Sequence, residues 1–268
     1  RNYLKVFINS VIEDPSFESQ CKERLITSPN KFGSKPILPD KLIKKIIDNS
    51  DIVDRVVSFT EFKQAKQSKK TDGSKKIKIR DIPKLDDANF AGTKKSDKCT
   101  LILTEGDSAK SMAISGLSVI GRDYYGVFPL KGKVMNVKDT SLKQISNNDE
   151  ITNLKKIIGL ETNKKYTNTK SLRYGKIMVM TDQDQDGSHI KGLILNLFHT
   201  MWPSLIEMNY ITSMITPIIK ITKGKLTHKF YNITDYRNWS EKNNSSKWKI
   251  KYYKGLGTSS SKEAQEYF

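Results

Sequence analysis

Apolar residues recur along this chain with two different periods, and the change from one to the other divides it. Residues 3–12 form an apolar run with a short polar interruption, ended by Pro15, and predict a strand; the polar, proline-containing stretch 16–39 predicts a long loop. Leu42, Ile43, Ile46, Ile47, Ile52, Val53, Val56, Val57 and Phe59 then recur at three- and four-residue steps. That is the period of an amphipathic helix, with a break near 49–51. From 63 to 84 the pattern is lost in a basic, low-complexity stretch, KQAKQSKKTDGSKKIKIRDIPK, with little to bury. The first domain therefore ends at 62, and 63–98 is expected as a basic linker, either solvated or touching a nucleic-acid backbone.

After Cys99 the pattern changes to strands alternating with helices, the mark of an α/β sheet. Residues 100–104, 126–130 and 176–181 predict short buried strands. Residues 108–117, 142–145, 151–158 and 190–202 predict helices, the last stopped by Pro203. The polar insert 161–170 predicts a surface loop. Beyond 210, strand-like runs at 215–221 and 248–253 precede a helix beginning near Ser261, and no internal repeat is visible.

Composition narrows the partners. The 47 Lys and Arg against 29 Asp and Glu give a formal charge of +18, which favours a polyanion, nucleic acid before a membrane surface. No stretch approaches the roughly 20 apolar residues of a spanning helix. Cys21 and Cys99 stand far apart, outside any CxxC pair, so neither a disulfide framework nor a zinc module is expected and a reducing, intracellular setting fits. With no initiator Met and with ends inside expected elements, the chain reads as cut from something larger.

Two expected strands end in carboxylates. LILTEGDS delivers Glu105 before a Gly turn and a helix start capped by Asp107 or Ser108; IMVMTDQDQDG ends in Asp182, Asp184 and Asp186. Ligands of open parallel sheets bind outside the carboxyl ends of the strands, so neighbouring strands of this kind would gather these groups in one cleft. Four carboxylates repel unless a cation joins them. Oxygen donors without Cys or a His cluster favour Mg2+, and Mg2+ favours phosphate chemistry. Asp182, Asp184, Asp186 and Gly187 also match the opening of a calcium-binding helix-loop-helix, but its twelfth position, which needs Glu, is Leu193. His189, His199 and His228 lack any ligand spacing; His199 fits a packed or rim position, and His189, following the aspartates, could orient a carboxylate or meet DNA.

Taken together, EGDSA at 105–109, PLKGK at 129–133, TDQDQDGSHIKG at 181–192, YYKGLGTS at 252–259 and IPKLDDAN at 82–89 make the chain resemble the type IIA DNA topoisomerases, in their eukaryotic branch, over essentially its whole length. The resemblance implies an α/β TOPRIM domain, Rossmann-like with a mainly parallel sheet, over 99–217. Before it would lie a mixed α+β transducer segment over 1–62, and after it, at 218–268, the start of the DNA-binding and cleavage region. It implies ATP-dependent cleavage, passage and religation of double-stranded DNA by a nuclear homodimer. Glu105 would be the acid/base residue and a metal ligand, Asp182 and Asp184 the principal Mg2+ ligands and Asp186 a supporting one, with Mn2+ or Ca2+ able to substitute. The nucleophilic Tyr would lie on a separate domain, so this chain would bind metal and DNA without cleaving alone.

The same resemblance places Lys131, Gly132, Lys133 and Lys254 against DNA. Lys131 stands where many relatives carry Arg, which keeps the charge and loses the planar fork. Gln20, Cys21 and Lys22 stand at a loop that reaches ATP, with Cys21 in place of the usual Thr. Without the resemblance, the Lys-Gly-Lys turn is a solvated hairpin and Lys22 one solvated lysine among many. Two other classes remain open on the residues alone: a Mg2+-dependent phosphotransferase with an aspartate nucleophile, and a non-catalytic nucleic-acid or transducer module.

Overall fold

The computed structural model describes the chain except at residues 1–4, 6, 34, 36, 78, 80, 244–246, 254, 257 and 258, and the side chain of 261. It divides into two compact units, residues 1–63 and 64–268.

In the first unit the expected strand at 3–12 is not formed. Residues 5 and 7–12 have no ladder partner, Phe7, Ile8 and Val11 are exposed, and residues 3, 4 and 6 lie outside the described residues. An apolar run becomes a strand only where another strand pairs with it. The polar stretch after it makes a narrow turn, closed by an antiparallel bridge between Phe17 and Leu25 and by the Glu18 amide donating to the Arg24 carbonyl at 3.0 Å. The helical period gives α1 (Asp40–Asp48) and α2 (Ile52–Lys70), broken at 49–51. Their apolar stripe, including Leu42, Ile43, Ile46, Ile47, Val56 and Val57, is exposed. α2 continues into the stretch expected as linker, because Lys, Gln and Ala favour helix without any apolar period.

The second unit is built on a four-stranded parallel sheet of order β2-β1-β3-β4, formed by β1 (Thr100–Glu105), β2 (Tyr125–Leu130), β3 (Lys176–Met180) and β4 (Ile211–Ser213). The crossovers are α3 (Gly106–Ile120), then α4 (Leu142–Ser146) with α5 (Asp149–Ile158), then α6 (Gln185–Met201) with α7 (Pro203–Glu207). Helices cover both faces, so the buried positions of β1, β2 and β3 are mostly apolar. On β1, Leu101 and Leu103 join a cluster with Ile157, Ile194 and Phe198, while Ile102 joins Ala109, Met112, Ala113 and Leu117 of α3. Each fully buried Leu, Ile or Phe side chain among these stabilises the fold by about 2 kcal/mol.

The stretch 64–98 is not a free linker. Lys155 is almost completely buried and its ammonium donates to Asp72 (2.8 Å), Thr71 Oγ1 (2.8 Å) and Thr162 Oγ1 (2.7 Å). Arg173, also buried, pairs with Asp87 and donates to the carbonyls of Ile157 (2.9 Å) and Ile77 (2.6 Å). Basic composition concealed this, because the partners of Asp72 and Asp87 lie in distant elements.

A smaller antiparallel sheet follows, of order β6-β5-β7, from β5 (Ile219–Lys223), β6 (Leu226–Phe230) and β7 (Lys249–Tyr252), with α8 (Ile233–Lys242) and α9 (Ser261–Tyr267). Of the run expected at 215–221 only the part from Ile219 is strand, as β5, since Pro217 cannot donate to a ladder; β4 lies before the run. On one face Ile219, Ile221 and Phe230 pack with Tyr236 and Trp239 of α8. The register on the other aligns Lys229, Lys220 and Lys251 across all three strands. Like charges so placed destabilise a sheet, and α9 answers them: Glu266 pairs with Lys229 at 2.8 Å and Glu263 with Lys251 at 2.7 Å.

Two outcomes follow from these packed ion pairs. Asp72→Ala leaves the Lys155 ammonium buried without its counter-ion and is expected to lower unfolding stability by about 3 kcal/mol; an unchanged urea midpoint would contradict it. Burial alone would raise the Glu263 carboxyl, but hydrogen bonds from Lys251, Tyr253 and Ser260 outweigh it and hold the group at about 2, against an ordinary 4.5. A folded value below the unfolded one stabilises fully above about 4.5, and that contribution is lost as pH falls towards 2. Glu263→Gln is therefore expected to melt below the wild type at neutral pH, with the gap closing over that window; a gap independent of pH contradicts this.

Candidate metal and DNA site

The register of the parallel sheet places the acidic groups. Thr104 of β1 lies beside Met180 of β3, so Glu105 emerges next to Thr181 and one residue from Asp182; on the other side Glu105 pairs with Leu130, and Lys131 follows. Three strand ends thus meet at one edge, carrying EGD, LKGK and TDQD. These strands cannot slip, since a one-residue shift turns every buried side chain to the wrong face.

Glu105 is half-buried, and its Oε2 is shielded from solvent without a hydrogen-bond partner. Burial pushes its carboxyl up, a backbone hydrogen bond from Asp182 pulls part of the way back, and the charges of Asp182, Asp184 and Asp186 add to the rise. Asp182 Oδ1 accepts from the Leu256 backbone amide at 2.7 Å. Asp184 caps α6, its Oδ1 accepting from the Gly187 amide at 2.7 Å. Asp186, in the first turn of that helix, pairs with the Lys133 ammonium at 2.8 Å, which holds its carboxyl below the usual range and raises Lys133 in turn.

Glu105 and Asp182 are therefore neighbours, while Asp184 and Asp186 are engaged by a helix end and a lysine. Among the described residues no three acidic, His or Cys side chains are gathered closely enough to hold a metal ion. A divalent cation still fits the donors. The unpartnered Oε2 of Glu105 and the carboxylate of Asp182 are hard oxygen ligands, and Mg2+ is commonly held by one or two carboxylates with water and substrate phosphate in the other positions.

The basic residues line the same edge. Lys131 is exposed, with its amide donating to Glu150 Oε1 at 2.7 Å. Gly132 has φ +126°, a conformation other residues avoid, and open space where a side chain would stand, so backbone there can approach a phosphate. Lys254 lies outside the described residues. Gln20, Cys21 and Lys22 are exposed in the first unit, at the tip of the narrow turn; Lys22 has φ +56° and its ammonium lies 6.0 Å from the ring centre of Phe17. His189 is exposed near Asp186, His199 is exposed in the last turn of α6, and His228 lies against Trp239 and Trp248. No helix among the described residues is long and apolar enough to cross a membrane.

The Leu256 amide on Asp182 and the Lys133–Asp186 pair were not legible in the sequence. The signal available was Gly255, since a glycine between a strand and a helix often marks close approach of backbone to another group; the group it approaches lies far away in the chain.

Three family models match. Residues 100–217 fit the Toprim domain, 214–268 the C-terminal associated domain of TOPRIM, and 1–76 DNA gyrase B. DNA topoisomerase 2 of Pisum sativum is 53% identical over 272 residues, and DNA topoisomerase 2-alpha of Homo sapiens 52% over 273; each alignment takes in 100% of this chain and 18% of the relative. The chain thus spans about a fifth of the length of these relatives. A crystal structure of the Plasmodium falciparum topoisomerase II DNA-binding, cleavage and re-ligation domain superposes with a TM-score of 0.69 at 54% identity, covering 72% of this chain and 26% of that one.

Proposed function

Since the chain belongs to the eukaryotic-type type IIA DNA topoisomerases as a segment of them, we propose that its strand-end cleft is the divalent-metal half of a site that cleaves and rejoins double-stranded DNA. The observation that carries this is the buried, unpartnered Oε2 of Glu105 beside Asp182.

Glu105 and Asp182 would hold Mg2+, with Mn2+ or Ca2+ able to replace it, and Asp184 and Asp186 would support them. When bound there, the ion supplies positive charge that polarises a scissile phosphate and stabilises a leaving oxygen. Glu105, whose carboxyl burial pushes up, would be the acid/base residue, giving a proton to the leaving 3′ oxygen and taking it back on religation. Lys131 and Lys133 would bind backbone phosphates at the cleft's rim, with Gly132 letting main chain come close, and Lys254 would add charge. A phosphate bound by Lys133 would compete with Asp186 for its ammonium. The surplus of 18 positive charges supports a polyanionic substrate.

In the whole protein, Gln20, Cys21 and Lys22 would meet ATP, with Lys22 reaching its terminal phosphate. The nucleophilic tyrosine would come from a separate domain, and the working form would be a nuclear homodimer. On this proposal the 268-residue chain binds metal and DNA and does not cut.

Glu105→Gln in the full-length protein keeps the shape of the side chain and removes its acid. It is expected to lower cleavage and relaxation of supercoiled plasmid by at least ~100-fold. Relaxation at the wild-type rate would overturn the assignment.

A further inference from the structure

Asp182 faces the like charge of Glu105 and stands two residues past the end of β3, where nothing in the sheet ladder fixes its side chain. Its direction is set from elsewhere. The Leu256 amide donates to Oδ1 at 2.7 Å, a charge-assisted bond from backbone that cannot rotate away. That amide is itself held, because the Leu256 side chain is buried with Ile102, Met112, Met180 and Ala264, among them residues of the two strands that deliver Glu105 and Asp182.

The adjoining glycine makes the approach possible. A Cβ at Gly255 would lie 2.4 Å from Asp182 Oδ2 and 2.8 Å from its Cγ, closer than any real contact. Gly187 does the same on the other side, where a Cβ would lie 2.1 Å from the Asp182 carbonyl oxygen. Asp182 is thus enclosed between two side-chain-free backbones, one against its main chain and one against its carboxylate.

We propose that Gly255 and Leu256 are positioning residues for Asp182, so that the segment following the parallel-sheet domain completes the metal site without contributing a ligand. The inference rests on Asp182 being a metal ligand, as proposed above. It gives 214–268, a separate family model, a direct part in metal affinity.

The test is Mn2+ titration of the 268-residue chain, followed by electron paramagnetic resonance of the free ion. Gly255→Ala is expected to weaken Mn2+ by at least ~10-fold, as removal of partners that orient a ligand typically does. Gly192→Ala, on a helix surface with nothing within 4 Å of its added methyl, is expected to bind like the wild type. Asp182→Asn separates the two claims. If it keeps wild-type affinity, the metal assignment fails and the inference with it; if it loses Mn2+ while Gly255→Ala does not, the inference alone is overturned. Should Gly255→Ala fold poorly, melting temperatures decide. The added methyl should lower the melting temperature in the wild type and not in Asp182→Ala, where no carboxylate stands in its way. An equal drop in both backgrounds means that Gly255 serves the fold, which overturns the proposal.

Discussion

The pairing of β1 with β3 brings Glu105 against Asp182 at the end of two strands whose buried side chains are mostly apolar, and it does so against the electrostatics. Burial raises the cost of charge on Glu105, and three aspartates nearby raise it further. The sheet bears that cost because its register is fixed by cores on both faces, Leu101 and Leu103 on one side and Ile102 on the other. A site held together by its own groups would relax apart. Here the scaffold imposes the geometry, and a cation or a proton is what relieves it.

Other charges in the cleft show how the protein manages the strain locally. Asp184 is stabilised by the amino end of α6, where a carboxylate is favoured by the exposed amides and by the helix dipole. Asp186 has Lys133, drawn from the end of β2. Among the described residues only Glu105 is left with a side-chain oxygen unpaired and shielded from water. Beyond the cleft, the lysine row of the smaller sheet is neutralised by Glu263 and Glu266, which fastens α9 to that sheet. Leu256 and Ala264 of the same segment are buried against Ile102 and Met180, so the packing that holds the smaller sheet also backs the amide on Asp182.

Much of this was readable beforehand, and the failures have physical causes. β1, β2 and β3 were placed within about a residue because strands packed under helices are short, mostly apolar runs. Glu105 and the aspartates were legible as strand-end carboxylates. α6 begins at Gln185 and not at 190, because its first residues, QDGSH, offer no apolar side chain, so only the Asp184 cap marks it. β6 and α8 escaped notice because LTHKF is mostly exposed and the burial of Tyr236 and Trp239 depends on a sheet not yet in view. The stretch 71–98 looked like linker because its anchors, Asp72 and Asp87, find Lys155 and Arg173 only after folding. Single residues whose meaning depends on one distant contact, Gly255 above all, have no local signature.

The central claim is that Glu105 and Asp182 share one divalent cation at the ends of β1 and β3. Anomalous diffraction from crystals of this chain soaked in Mn2+ addresses it directly. The account predicts a single strong peak within coordination distance of both carboxylates, with Lys133 and Asp186 beside it. Crystals with no peak there, or a peak bound by Asp184 and Asp186 and remote from Glu105, would contradict it.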